Sequence, residues 1–234
     1  MSLKDIPTCK DCILHHRTVF SSLKDEELDM VDYEKTCSHY KRGSVIINEG
    51  NRASGFYCVT AGVVKLYKTG IDGKEQIIRF SKKGDIFGFR SILSEEPVCL
   101  SAKAIQDTTL CYIPAHILIE MVRQNSDFAM SLMQRTCKEL GEANNYILDI
   151  AQKTVRERLA EVLLILMDSF EVDEDGVLQI ALTREEIANI VGTATESVIR
   201  LLSEFKQDKL IEIRGRKIKL IDIKGLERVA NNFS

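Results

Sequence analysis

Residues 182–205, LTREEIANIVGTATESVIRLLSEF, read as two short amphipathic helices joined by a tight turn. Thr183 and Glu186 have the spacing of a capping box, in which each side chain accepts a hydrogen bond from the other residue's backbone. Ile187, Ile190 and Val191 follow at helical spacing, so one face of the first helix is apolar. Gly192 stands where that helix must end and tolerates the left-handed backbone such an end adopts. Beyond the turn, Val198, Leu201, Leu202 and Phe205 form a second apolar stripe, while Thr195, Glu196, Ser197, Ile199, Arg200 and Ser203 take the opposite side. This pattern predicts a helix-turn-helix whose second helix enters a DNA major groove. There Glu196 can accept from a cytosine amine, and Arg200 can donate two hydrogen bonds to a guanine.

The next segment strengthens that reading. Residues 209–221, KLIEIRGRKIKLI, alternate apolar and polar side chains about Gly215. The alternation predicts a β-hairpin in which Ile211 and Ile213 pair with Ile218 and Leu220, with Arg214, Arg216, Lys217 and Lys219 on its tip and outer face. A basic hairpin directly after a helix-turn-helix is placed as a wing on the phosphates. It supplies what the whole chain lacks. Five basic residues from Lys209 to Lys219 stand against one acid, Glu212, in a chain of 234 residues with formal net charge −3. For residues 182–205 alone an ordinary αα-hairpin is the simpler alternative, and the wing tells against it.

The length allows one large or two small domains. No apolar run approaches the roughly 18 residues of a membrane span. The N-terminus is polar and carries Cys9, Lys10 and Asp11, without the look of an export signal, so a cytoplasmic chain is expected. Its seven scattered cysteines then read as reduced thiols rather than a disulfide frame.

Upstream, residues 1–22 form an arm holding Cys9, Cys12, His15 and His16. Residues 22–37, SLKDEELDMVDYEKTC, read as a helix capped by Ser22, with Asp25 and Glu26 at the favourable end of its dipole. Residues 23–125 then make one domain. Its β-rich runs at 44–47, 55–62, 63–68, 76–80, 85–89, 100–105 and 109–113 are separated by glycine-bearing turns. Such spacing predicts a β-sandwich or jelly-roll barrel able to enclose a small ligand.

A short helix at 114–124 precedes a long one starting near Asp127. In it Met133, Cys137, Leu140, Asn144, Ile147, Ala151, Thr154 and Arg158 recur by fours and threes, the mark of a heptad seam between two copies; a long core helix with no dimer role is the plain alternative. Phe128, Leu132 and Leu148 form a second stripe, toward the barrel. Residues 126–152 are therefore the expected dimerisation helix, with a hinge near Gln152. Residues 153–234 hold an apolar helix, a short strand at Val177–Ile180, the helix-turn-helix, the wing and a last helix at Lys224–Asn231. The expected class is α+β, made of a barrel, a dimer helix and a winged helix-turn-helix.

That order of parts resembles the Crp/Fnr family of bacterial transcription regulators, in its Fnr-type branch more than its cyclic-AMP receptor branch. The resemblance runs from about Cys9 to Ile221. Its sharpest motifs are KRGSVIINEG (41–50), GDIFGF (84–89), Val155-Arg-Glu-Arg-Leu159 and TREEIANIVGTATESVIRLL (183–202). It implies a cytoplasmic homodimer, with a cyclic-nucleotide-binding-like barrel, that binds a palindromic double-stranded DNA site. RNA polymerase is an implied partner, met by analogy at the Asp72-Gly73-Lys74 hairpin tip. Glu196 and Arg200 fall on the family's most used base-reading positions. Arg184, Thr193, Thr195, Ser197, Ile199, Arg214, Arg216 and Lys217 complete the expected DNA contacts. Ile199 departs from the serine of Fnr-type regulators and the glycine of the cyclic-AMP receptor, so the half-site sequence stays open.

The family's effector pocket maps onto Gly88, Phe89, Arg90, Ser91, Leu100 and Ser101. The cyclic-nucleotide cassette has Glu after the turn glycine and an Arg–Ser pair further on. Here these are Phe89 and Leu100-Ser101, so the cyclic phosphate lacks its bidentate partner. Cys9, Cys12 and Cys111 match three ligands of the Fnr-type iron–sulfur motif, and the remaining position falls at Thr18. Four thiolates are the usual requirement, so the motif is incomplete, with His15, His16, Cys37 or Cys99 as candidate fourth ligands. Zinc or a redox pair at Cys9 and Cys12, haem, another ligand, or none are the alternatives. Each cysteine also has a plain reading as a small buried hydrophobe, above all Cys58, Cys111 and Cys137. A sensor module without DNA binding is the other functional class. No catalytic motif stands out, and a non-enzyme is expected.

Overall fold

The computed structural model describes residues 8–10 and 18–230. It divides into two compact units. One holds the described residues of 1–69 together with 77–140, and the other those of 70–76 together with 141–234.

In the first unit a 3₁₀ turn at Val19–Ser22 leads into helix α1 (Asp25–Glu34). Eight strands follow: β1 (Thr36–Tyr40), β2 (Val45–Ile47), β3 (Gly55–Ala61), β4 (Val63–Thr69), β5 (Glu75–Lys82), β6 (Ile86–Phe87), β7 (Ser101–Ala104) and β8 (Thr108–Pro114). They form two four-stranded sheets, ordered β1-β8-β3-β6 and β2-β7-β4-β5. Gly62, at φ +88°, makes the corner between β3 and β4, where a Cβ would meet the carbonyl of Asp107.

Alternation along the strands builds two cores. Val59, Phe87 and Leu110 of the first sheet meet Val64, Leu66 and Ala102 of the second. The opposite face of the first sheet, with Phe56, Cys58, Ile86 and Ile113, packs under Leu28, Val31, Ile117, Leu118, Phe128 and Leu132. Those residues come from α1, from α3 (Ala115–Gln124) and from α4 (Ser126–Gln152).

Three expected elements of this unit are corrected. The first helix begins at Asp25 and is capped at Lys24, whose N–H donates to Glu27 Oε2 at 2.7 Å, not at Ser22. Its expected tail, Thr36 and Cys37, is instead the start of strand β1, drawn into a sheet by β8. Residues 85–89 yield only the two-residue β6, and Phe89 opens a short helix, α2 (Phe89–Leu93).

Asn125 fixes the start of α4. Its Oδ1 accepts from Phe128 N–H at 2.9 Å, and its Nδ2 donates to Ser22 O and to Glu27 Oε2. This buried amide is satisfied on both sides, which spares the cost of an orphaned polar group. Further along α4, Glu139 meets Arg79 of β5 at 3.1 Å, Arg135 at 3.3 Å and Arg90 of α2 at 3.6 Å. Arg135 also pairs with Asp85 at 3.0 Å. Burial lowers the pKa of Arg79, which Glu139 opposes.

In the second unit α5 (Val155–Phe170) packs against α8 (Ile223–Ala230), α6 (Arg184–Val191) and α7 (Thr195–Gln207). Leu159, Leu163, Val198, Phe205 and Leu226 are fully buried there. Thr154 caps α5, and Arg158 donates to Val191 O and Lys153 O. These two residues therefore leave the expected seam, which ends with α4. Leu148 is 51% exposed, so it does not share the burial of Phe128 and Leu132. In place of the strand expected at 177–180, Val177 and Leu178 form isolated bridges, to Lys219 and Val172.

The Arg79–Glu139 side chains are only 19% and 9% exposed. Glu139→Ala would leave a guanidinium buried without its carboxylate and should lower unfolding stability by about 3 kcal/mol. The urea midpoint reads this. Replacing Arg79 by Met and Glu139 by Leu together should recover most of the loss; an equal loss in both variants would refute the pairing.

Candidate nucleic-acid interface

Helix α6 begins as its sequence dictates. Thr183 N–H donates to Glu186 Oε2 at 2.7 Å, and Glu186 N–H donates back to Thr183 Oγ1 at 3.0 Å. Gly192 ends the helix at φ +73°. Helix α7 then sorts its side chains by angle. Val198 and Phe205 are fully buried, and Leu201 and Leu202 nearly so. Glu196, Ile199, Arg200 and Ser203 are exposed, with Thr195 and Ser197 at the margin of the same face.

The hairpin of β9 (Ile211–Arg214) and β10 (Lys217–Leu220) pairs Ile213 with Ile218 and Ile211 with Leu220. The side chains of Ile211, Ile218 and Leu220 are buried. Arg214, Arg216 and Lys217 are exposed around the Gly215 turn. Thr193 lies between the two helices, in the turn.

Arg184 and Arg200, both expected contacts, donate side-chain hydrogen bonds within the chain. Arg184 Nη2 donates to Gly215 O at 3.0 Å, tying the start of α6 to the tip of the wing. Burial lowers the pKa of this guanidinium. Arg200 Nη1 sits 2.6 Å from Glu204 Oε1, and Glu204 also meets Arg156, whose guanidinium lies over the Phe205 ring. Arg200 is 66% exposed, so that pair is weak and yields readily to a nucleic acid.

The comparisons with known proteins agree with this arrangement. The Cyclic nucleotide-binding domain profile matches residues 37–125, and the Crp-like helix-turn-helix domain profile matches residues 157–229. The chain is 30% identical over 218 residues to the transcriptional activator protein Anr of Pseudomonas protegens, covering 92% of this chain and 88% of that protein. The chain belongs to the Crp/Fnr family, in its Fnr-type branch. It is also 27% identical over 227 residues to the transcriptional activator protein FnrL of Cereibacter sphaeroides, across 93% of this chain and 90% of that one. Among solved structures, FixK2 from Bradyrhizobium japonicum aligns with a TM-score of 0.74 at 29% identity, over 83% of this chain and 96% of its own.

The residues at the family's effector positions are otherwise engaged. Phe89 is buried in the core outside the sandwich, and Ser91 is buried with its hydroxyl donating to Pro97 O. Arg90 faces Glu139 and donates to Cys99 Sγ. Leu100 packs into the inter-sheet core, and Ser101 Oγ accepts from Glu49 N–H at 2.9 Å. Gly88 takes φ +89° to start α2. A cavity of about 280 Å³ lies elsewhere in the barrel, lined by residues such as Ile46, Asn48, Arg52, Tyr57 and Tyr112. Burial, with Tyr40 and Tyr112 nearby, pushes the Tyr57 phenol up to about 12. Most of this lining comes from one run, residues 45–57, that joins β2 to β3, and strand pairing brings Tyr112 of β8 to it from far along the chain.

The cysteines also differ from expectation. Cys111 forms a disulfide with Cys37, its neighbour across β1 and β8, where reduced thiols were expected. Its sulfur is thereby not a thiolate ligand. Cys9 accepts from Lys35 Nζ at 3.4 Å, and burial pushes its thiol up to about 11. Cys12, His15 and His16 lie outside the described residues. Among the described residues no group of three or more His, Cys, Asp or Glu is placed to hold a metal ion. Of the expected cluster ligands, the described residues thus hold Cys9 as a thiol and Cys111 in a disulfide.

Arg184→Ala should loosen the wing without touching a base-reading residue. The expected result is about a fivefold fall in affinity for any DNA sequence, the equivalent of about 1 kcal/mol, with base preference unchanged. Fluorescence anisotropy on specific and random duplexes checks it, and a loss confined to the specific duplex would instead make Arg184 a base reader.

Proposed function

We propose that this chain is a homodimeric, sequence-specific DNA-binding transcription regulator whose barrel receives the controlling signal. The observation that carries the reading is the sorted surface of α7 beside a basic wing. A buried apolar stripe anchors the helix, and Glu196, Ile199 and Arg200 face outward together. Membership in the Crp/Fnr family supports the same conclusion, and so do relatives described as transcriptional activators. RNA polymerase enters as a partner by family analogy alone.

The division of labour follows from the chemistry. Arg200 reads a guanine edge bidentately and Glu196 a cytosine amine. Ile199 offers an alkyl surface suited to a thymine methyl. Arg214, Arg216 and Lys217 hold the phosphates, which fixes register but carries no sequence information.

Helix α4 supports the dimer. Met133, Leu140 and Ile147 are 59%, 61% and 65% exposed. Cys137, Asn144 and Ala151 lie exposed on the same seam. An apolar stripe of this length left in water marks an interaction surface, and its heptad spacing suits a second copy. Asn144 within the seam would fix register.

Arg200→Ala should cost about 1–3 kcal/mol at the specific site and relax preference at one base of each half-site. Lys217→Ala should weaken binding to all sequences and flatten the salt slope by about one. A binding-site selection from random duplexes, followed by salt titration, tests both, and identical effects of the two changes would sink the assignment.

Leu140→Glu should give a monomer by sedimentation and reduce affinity for a two-fold-symmetric site about 100-fold or more. Binding to an isolated half-site should change little, and a Leu140→Glu protein that stays dimeric would remove α4 from the interface.

A further inference from the structure

The register of the first sheet sets three cysteines in one row. Cys37 of β1 lies opposite Cys111 of β8, and Cys111 lies opposite Cys58 of β3. Directly opposed residues in antiparallel strands point to the same face, with Cβ atoms about 4.5–5.5 Å apart. The outer two flank the central one, so the three sulfurs follow one another across the sheet. Cys37 and Cys111 are joined, with Cα atoms 4.0 Å apart. Cys58 carries a thiol and is 7% exposed, against 6% for Cys111. Cys37 is half-buried on the edge strand.

We infer that Cys37, Cys111 and Cys58 form a thiol–disulfide exchange site in which the bond to Cys111 moves between the sheet edge and the sheet interior. The Cys58 sulfur, as thiolate, attacks Cys111 Sγ; the Cys58–Cys111 bond forms as the Cys111–Cys37 bond breaks. The proton lost from Cys58 ends on Cys37, so no outside oxidant is consumed. Exchange needs the attacking, central and leaving sulfurs nearly in line, and this row supplies that order. The product exposes a Cys37 thiol on the sheet edge, open to exchange with a glutathione-class disulfide.

The setting argues for chemistry rather than a static brace. A chain that meets the genome works where thiols are kept reduced, and disulfides there are usually transient, catalytic or redox-sensing. That step rests on the DNA-binding reading above. The exchange itself does not, and the disulfide mapping that tests it involves no DNA.

The experiment is disulfide mapping on the full-length protein. Oxidised wild type is held with excess N-ethylmaleimide, quenched in acid and digested without reductant. The expected result is progressive loss of the Cys37–Cys111 peptide pair and matching gain of a species alkylated at Cys37 with Cys58 linked to Cys111. In Cys58→Ala the Cys37–Cys111 pair should persist unchanged. Reduced Cys37→Ser treated with oxidised glutathione should close a Cys58–Cys111 bond, seen as a mass loss of about 2 Da. Wild type that keeps only Cys37–Cys111 throughout, or never forms it, overturns the proposal. So does a folded Cys37→Ser protein that gains glutathione without closing the inner bond. Should Cys37→Ser fail to fold, the wild-type trapping result decides alone. DNA binding measured on the same samples tells failure of this site from failure of the regulator reading.

Discussion

Strand β8 pairs with β1 along one edge and with β3 along the other, so its alternation decides what lies on both faces of its sheet. Leu110 points into the core between the sheets, and Ile113 into the core beneath the helices. A slip of one residue would exchange the two sets, placing Tyr112 and Thr109 where apolar side chains are now fully buried. Register here is therefore held from both sides. Because β8 runs through Pro114 directly into α3, and Asn125 then pins the start of α4, the same register sets where the long helix begins.

The second unit solves a different problem with a similar device. Helix α7 must present polar groups to a partner while keeping its axis fixed. It does so by giving one full face to the core, through Val198, Leu202 and Phe205, and leaving the other unburdened. The wing is fixed likewise by Ile211, Ile218 and Leu220, and Arg184 ties its tip to α6. A polar-faced helix and a basic wing are thus held on one support, which limits the ordering cost when they meet a nucleic acid.

Much of this unit is legible in sequence because its determinants are local. Thr183 and Glu186 are three residues apart, and the wing's register follows from alternation about one glycine. The same holds for the exposed seam of α4. What escapes is long-range. Residues 36 and 37 continue a helix-like composition, and only pairing with β8 turns them into a strand. Phe89 follows a strand-like run, yet the left-handed Gly88 turns the chain into α2. The partnership of Glu139 with Arg79 and that of Cys37 with Cys111, 74 residues apart, leave no mark in either local pattern.

The barrel sites show why position within a family motif does not settle chemistry. Ser101 stands where the family's phosphate pair falls, but its hydroxyl is committed to Glu49 N–H. Arg90 could have faced a ligand and instead faces a carboxylate of α4. Cys111 holds the place of a cluster ligand, and strand register gives it two cysteine neighbours rather than an open approach. In each case the fold preserves where the residue sits, while its cross-strand or cross-helix neighbour decides what the side chain can do. A disulfide sulfur with a further cysteine on its other side is disposed toward sulfur–sulfur exchange. A serine that already accepts a backbone hydrogen bond, with Leu100 where an arginine would stand, is a poor phosphate partner. The input to this barrel is therefore read from the neighbours of the motif residues rather than from the motif itself.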